Sequence, residues 1–383
     1  MKHVIGAGLA AGVIGILVAV PQAQQTQQNR QTAAALKQVS GWIKTSSYVP
    51  SKTPWGDPDI QGGYTNVNEN GIPFEKPGNL ASRQVEEIDD SELAELNRER
   101  NERAVAAAAG IGGRETGAGP VHWYEHYNAK NSRGWMVVDP PDGRIPDQTP
   151  AALQRLGGRA GGRGGAPAPP AAGAAGAPGR AGAAGRAGAA GPAGAAAAAG
   201  AGGGRGGLGE GGRADSWLDR SLYDRCITRG FPGSMMPAIY GNAYDITQAP
   251  GMVAIRYEMV HETRIIRMDN SARSGQLTHM GDARGRWEGN TLVVETTNMR
   301  APYRNGSAKQ KLIERFVPTA PGVIEWSMTI DDPDTWVRPW TFAMRLTADP
   351  EQPLFEYACH EGNYAMRNIL SAARAEEARA GGK

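Results

Sequence analysis

Alternation of apolar and polar residues with a period of two dominates the C-terminal half of the chain. In MVAIRYEMVHETRIIRMD, Val253, Ile255, Tyr257, Met259, His261, Thr263 and Ile265 fall on one face, while Arg256, Glu258, Glu262 and Arg264 fall on the other. That is the pattern of a half-buried strand. GRWEGNTLVVETTN places Glu288-Gly289-Asn290 between two short strands, which predicts a compact hairpin. Further strands follow in QKLIERFVP, GVIEWSMTID and RPWTFAMRLTAD, with Ile324, Trp326, Met328 and Ile330 sharing one face and Trp340, Phe342, Met344 and Leu346 another. With AYDITQ before them and LFEYAC last, about eight strands at short spacing predict a mainly β fold. We expect an antiparallel meander closing into a lipocalin-like barrel. Beyond it, Met366, Ile369, Leu370 and Ala373 recur at helical spacing, predicting a C-terminal helix with one apolar stripe and Asn363 as its cap.

The N-terminal side is less periodic. TPWGDPDIQGGYTN, with its prolines and paired glycines, reads as an ordered but irregular arm laid on the barrel. A surface helix is expected after Asp90 or Ser91, where strong helix formers begin. The expected organisation is a signal peptide at 1–23, a leader at 24–50, the arm at 51–156, an insert at 157–213, the barrel at 214–362, and the C-terminal helix and tail at 363–383.

Composition changes this picture in two places. The insert concentrates the chain's glycine and alanine, and glycine at every third position from Gly173 to Gly194 imitates collagen. The spacing then breaks and only two prolines fill the other positions of that run, so the tract reads as disordered, lacking apolar bulk to offset its ordering entropy. At the N-terminus, Lys2, an apolar run from Val4 to Val20 and a Pro-Gln-Ala exit have the layout of a secretory signal, with cleavage after Ala23. Export to the periplasm or beyond is expected, with no membrane span in the mature chain. Lys plus Arg number 41 against 39 Asp plus Glu, a formal charge of +2, so nothing calls for nucleic acid as a partner.

Export bears on the two cysteines, Cys226 and Cys359. An oxidising compartment favours one disulfide closing a long loop. The competing reading is a nucleophilic Cys359 activated by His360, but neighbours on a strand point to opposite faces. His261, on an apolar strand face, reads either as a neutral core histidine or as a general acid or base beside an apolar pocket. Glu262, Arg264, His360 and Glu361 are the candidates to assist it. Tyr257, Met259, Trp326 and Trp340 would line the pocket. A metal held by His261, His360 and a glutamate has acceptable ligand types, yet no HExxH or paired-cysteine spacing supports it. His122 and His126 in HWYEH are four apart, and Arg225 beside Cys226 could clamp a carboxylate. No GxSxG elbow, phosphate-cradling loop or CxxCH haem site is present.

TPWGDPDIQGGYTN, DRSLYDRCITRGFPGSMMP, GDARGRWEGNTLVVETTN and FEYACHEGNYAMRNIL together resemble a widespread family of exported bacterial proteins without an assigned function. The resemblance implies one continuous folded unit carrying an insertion, and it brings no activity, cofactor or catalytic residue with it. Two functions are therefore expected to compete: a barrel that binds a small apolar or aromatic molecule, and an enzyme using the same pocket for hydrolysis, elimination or isomerisation. A structural or envelope-associated role is a third. Oligomeric state and cofactor stay unassigned.

Overall fold

A computed structural model of the chain describes residues 47–84, 87–96, 98–99, 131–161, 214–238, 240–269, 271–351 and 354–381. The expected signal peptide, most of the expected leader and insert, and His122 and His126 lie outside the described residues. The strands are β1 (Gly62–Thr65), β2 (Val137–Asp139), β3 (Ala243–Ala249), β4 (Met252–Tyr257), β5 (Thr263–Arg267), β6 (Asp282–Glu288), β7 (Thr291–Thr297), β8 (Lys311–Ala320), β9 (Val323–Asp331) and β10 (Trp340–Ala348). Two helices are α1 (Pro150–Gly161) and α2 (Tyr364–Gly381).

The expected barrel is there, and it is closed and mixed. β1 and β3 to β10 hydrogen-bond in a ring of nine strands, sealed by β1 against β10. β2 takes the part of the β10 edge that β1 leaves free, pairing at Thr341 and Phe342. Both β1 and β2 come from the N-terminal arm, which therefore completes the barrel wall as well as covering it. The meander has one parallel step, Ile266 beside Ala283 and Arg267 beside Arg284. Residues 268–281 supply the crossover that a parallel neighbour needs. LFEYAC, expected as the closing strand, lies outside the sheet, and β1 closes the ring in its place.

The long strand read across 252–268 is two strands and a turn. Val260 and His261 both take left-handed backbone, with φ of 59° and 41°, and reverse the chain between β4 and β5. The reversal inverts the face assignment beyond it. Val253, Ile255 and Tyr257 point inward as expected, but Arg264 and Ile266 follow them inside, while His261, Thr263 and Ile265 are exposed.

Inside the ring the side chains pack on one another. Trp326 meets Phe342 edge-on at 5.6 Å, Phe342 lies 6.0 Å from Trp340, and Phe316 lies 6.5 Å from Trp326. Phe74 of the arm packs on both Trp340 and Phe342, and Arg304 stacks over it at 4.3 Å. The outer face of β9 and β10 is covered too. Glu69 accepts hydrogen bonds from the Ser132 backbone and hydroxyl and from the Arg345 backbone, and Arg133 pairs with Glu325 at 2.7 Å. The helix expected after Asp90 or Ser91 begins one residue earlier in its capping, since the Asp89 carboxylate accepts from the backbone of Ser91 and Glu92.

One end of the barrel is closed by tight turns between β3 and β4, β6 and β7, and β8 and β9. The β4–β5 turn and the longer connections 298–310 and 332–339 gather at the other end. Loops positioned by a rigid scaffold are where binding and catalytic groups concentrate, so that mouth is where a site belongs.

Candidate functional site at the barrel mouth

The chemistry at the mouth begins with a charged pair below its surface. Arg264 is 1% exposed and Glu314 0%. Their side chains meet in a forked pair, one limb at 3.0 Å and the other between Nη2 and Oε2. Thr296 accepts a third bond from the guanidinium at 2.6 Å, Trp326 donates to Glu314 at 3.1 Å, and the Phe231 ring lies 3.7 Å from the guanidinium carbon. The Tyr257 hydroxyl lies in the same cluster, and burial holds it protonated far above the usual phenol range. A buried pair this well matched offsets much of the desolvation cost of its charges.

Above it, the connection 214–242 folds over the mouth and is pinned by the disulfide Cys226–Cys359, whose Cα atoms are 5.6 Å apart. The expected disulfide is therefore formed, and Cys359 has no free thiol. Thr228 donates to the Glu262 carboxylate at 2.7 Å, and burial raises the Glu262 carboxyl above the usual range. His261 is exposed, its Nδ1 lying 3.4 Å from the Tyr357 carbonyl oxygen. The aromatic rings of Tyr240 and Tyr357 stack at 6.3 Å, and Arg229 lies over the Tyr223 ring at 5.3 Å.

On the other side of the disulfide, α2 leaves a groove of about 420 Å³. Apolar Met366 and Leu370 of α2 line it with Trp217 and Ile227, and Arg225, Arg367, His360 and Asn363 line it as well. Arg225 stacks over the Trp217 ring at 4.4 Å. Trp217 is 52% exposed and Ile227 44% exposed, so the apolar walls stand open to solvent. The expected cap is present. Asn363 accepts from the Met366 backbone, and its amide donates to the Asp224 carbonyl and the Cys226 sulfur, joining α2 to the disulfide.

The expected site residues are thus dispersed around one region. His261 lies on the outside of the turn, a correction to its expected place on the apolar face, and the cause is the left-handed pair at 260–261. Arg264, expected on the solvated face, is buried inside the barrel for the same reason. Glu262 is engaged with Thr228. His360 and Glu361 are both exposed, and His360 borders the groove. Tyr257, Met259, Trp326 and Trp340 are all in the packed interior, at 2% exposure or less. Among the described residues no three His, Cys, Asp or Glu side chains are grouped to hold a metal. Tyr223, Arg229, Tyr240, Trp217 and Glu314 were not singled out from the sequence. Only Tyr223 and Arg229 carried a signal, flanking Cys226.

No family model matches the chain, and no curated protein matches it either.

Proposed function

We propose that the chain is exported, as the family it resembles would imply, and that it is a binding protein taking a small anionic amphiphile into the groove between α2 and the Trp217–Ile227 segment. The carrying observation is the groove's mixed lining, apolar from Trp217, Ile227, Met366 and Leu370 and cationic from Arg225 and Arg367. Its volume falls within the roughly 300–1,000 Å³ of small-molecule sites. The disulfide and the absence of a bilayer-spanning helix among the described residues fit an exported protein. The reading places the ligand beside the barrel, because the interior is filled by its own aromatic residues. A fluorescence titration with anilinonaphthalene sulfonate tests it. Saturable enhancement is expected for the wild type and its loss in Leu370→Asp and Trp217→Ala, while equal enhancement in all three would count against the groove.

A further inference from the structure

The groove is lined by two stretches of chain, and one covalent bond joins them. Arg225 and Ile227 flank Cys226 in the sequence, while His360 directly follows Cys359 and leads into Asn363, Met366 and Leu370. The two stretches differ in what else holds them. The Cys226 stretch is anchored without the bond. Cys226 takes left-handed backbone, φ 55°, at the end of a turn closed by its own amide on the Tyr223 carbonyl at 2.9 Å and by the Ile227 amide on the Leu222 carbonyl at 2.8 Å. Just beyond, Thr228 bonds Glu262, and Phe231, Met235 and Met236 are buried in the core.

The Cys359 stretch has no such footing. From residue 354 to residue 379 no described side chain is buried. Besides the disulfide, α2 is tied by the Asn363 amide to the Asp224 carbonyl and the Cys226 sulfur, and by Arg374 to the Asp215 carbonyl at 3.2 Å. A segment that buries so little apolar surface opens locally at small cost. Once undocked, an 18-residue helix is marginal in water. The barrel does not depend on it, since its ring is closed by β1 against β10 and its core contains nothing from this segment.

We propose that the Cys226–Cys359 disulfide is a redox clasp: a dithiol reductant opens it, α2 is released and the groove is dismantled, while the barrel stays folded. A thiolate of the reductant attacks Sγ of Cys359, which is half-buried where Cys226 is 3% exposed. The disulfide bond breaks and its electron pair leaves on Cys226 Sγ, to which the Asn363 amide donates at 3.1 Å, before a proton from water completes the thiol. The second thiol of the reductant then displaces Cys359 from the mixed disulfide. The chain has gained two electrons and two protons, and the reductant ends as a disulfide. Control of ligand binding rests on the groove being the binding surface proposed above; the release of α2 does not.

Hydrogen exchange on the full chain, oxidised and after dithiothreitol without denaturant, tests the clasp, with thiol alkylation to show which cysteines have opened. Reduction is expected to expose both cysteines to alkylation and to speed exchange of the α2 amides by about tenfold or more, with those of β7 to β10 unchanged. Decanoate binding by the same samples should be lost on reduction and recovered on reoxidation. Cys226→Ser combined with Cys359→Ser should match the reduced chain and ignore dithiothreitol. Unchanged α2 exchange on reduction would overturn the clasp, as would a bond that resists dithiothreitol in the folded chain, loss of protection across β7 to β10, or decanoate binding that survives the release. Release of α2 with no decanoate bound in either state would support the clasp and overturn the groove reading alone.

Discussion

Arg264 and His261 exchange places relative to what alternation predicts, and the exchange sets the chemistry of the barrel. A guanidinium enclosed by Glu314, Thr296, Phe231 and Tyr257 is stable only while its countercharge is present. Replacing Glu314 by Gln leaves a buried, uncompensated cation, and the expected cost is about 3–5 kcal/mol of unfolding free energy. Replacing Arg264 by Met and Glu314 by Leu together should cost much less, because no charge is then left unpaired. Urea denaturation of the two variants decides between this account and one in which the pair contributes little, for which Glu314→Gln would be silent.

At the scale of elements, the sequence announced most of the strands because each exposes one face and buries the other. Ile324, Trp326, Met328 and Ile330 line the interior as their spacing requires, and so do Trp340, Phe342, Met344 and Leu346. The β4–β5 turn was hidden because its left-handed residues are Val and His, which do not advertise a turn as Asn-Gly would. β1 was hidden for another reason. Gly62–Thr65 has only four residues and too little alternation to register, yet its pairing with β3 and β10 closes the ring. The strain at the turn is testable at His261, which is exposed and has φ of 41°. His261→Gly is expected to leave stability unchanged or raise it by up to about 1 kcal/mol, since glycine accepts that backbone freely. A core histidine would give the opposite sign in the same thermal melt.

For the whole molecule, the fold class and the disulfide could be read from the sequence, but the assembly of the mouth could not. Trp217, Ile227, Met366 and Leu370 lie in separate segments, and nothing in their local spacing marks them as neighbours. They become one surface when Cys226 joins Cys359 and Asn363 ties α2 to Asp224 and Cys226. The site is therefore a product of closure, with packed aromatics below and a pinned loop above. That the binding surface is this groove, selective for an apolar body with an anionic end, is the central claim. Its most direct measurement is a pair of calorimetric titrations with decanoate and with decyltrimethylammonium, on the wild type and on Leu370→Asp. Decanoate alone should bind, at one molecule per chain, and should be lost in the variant; equal binding of both amphiphiles, or decanoate binding that survives Leu370→Asp, would contradict it.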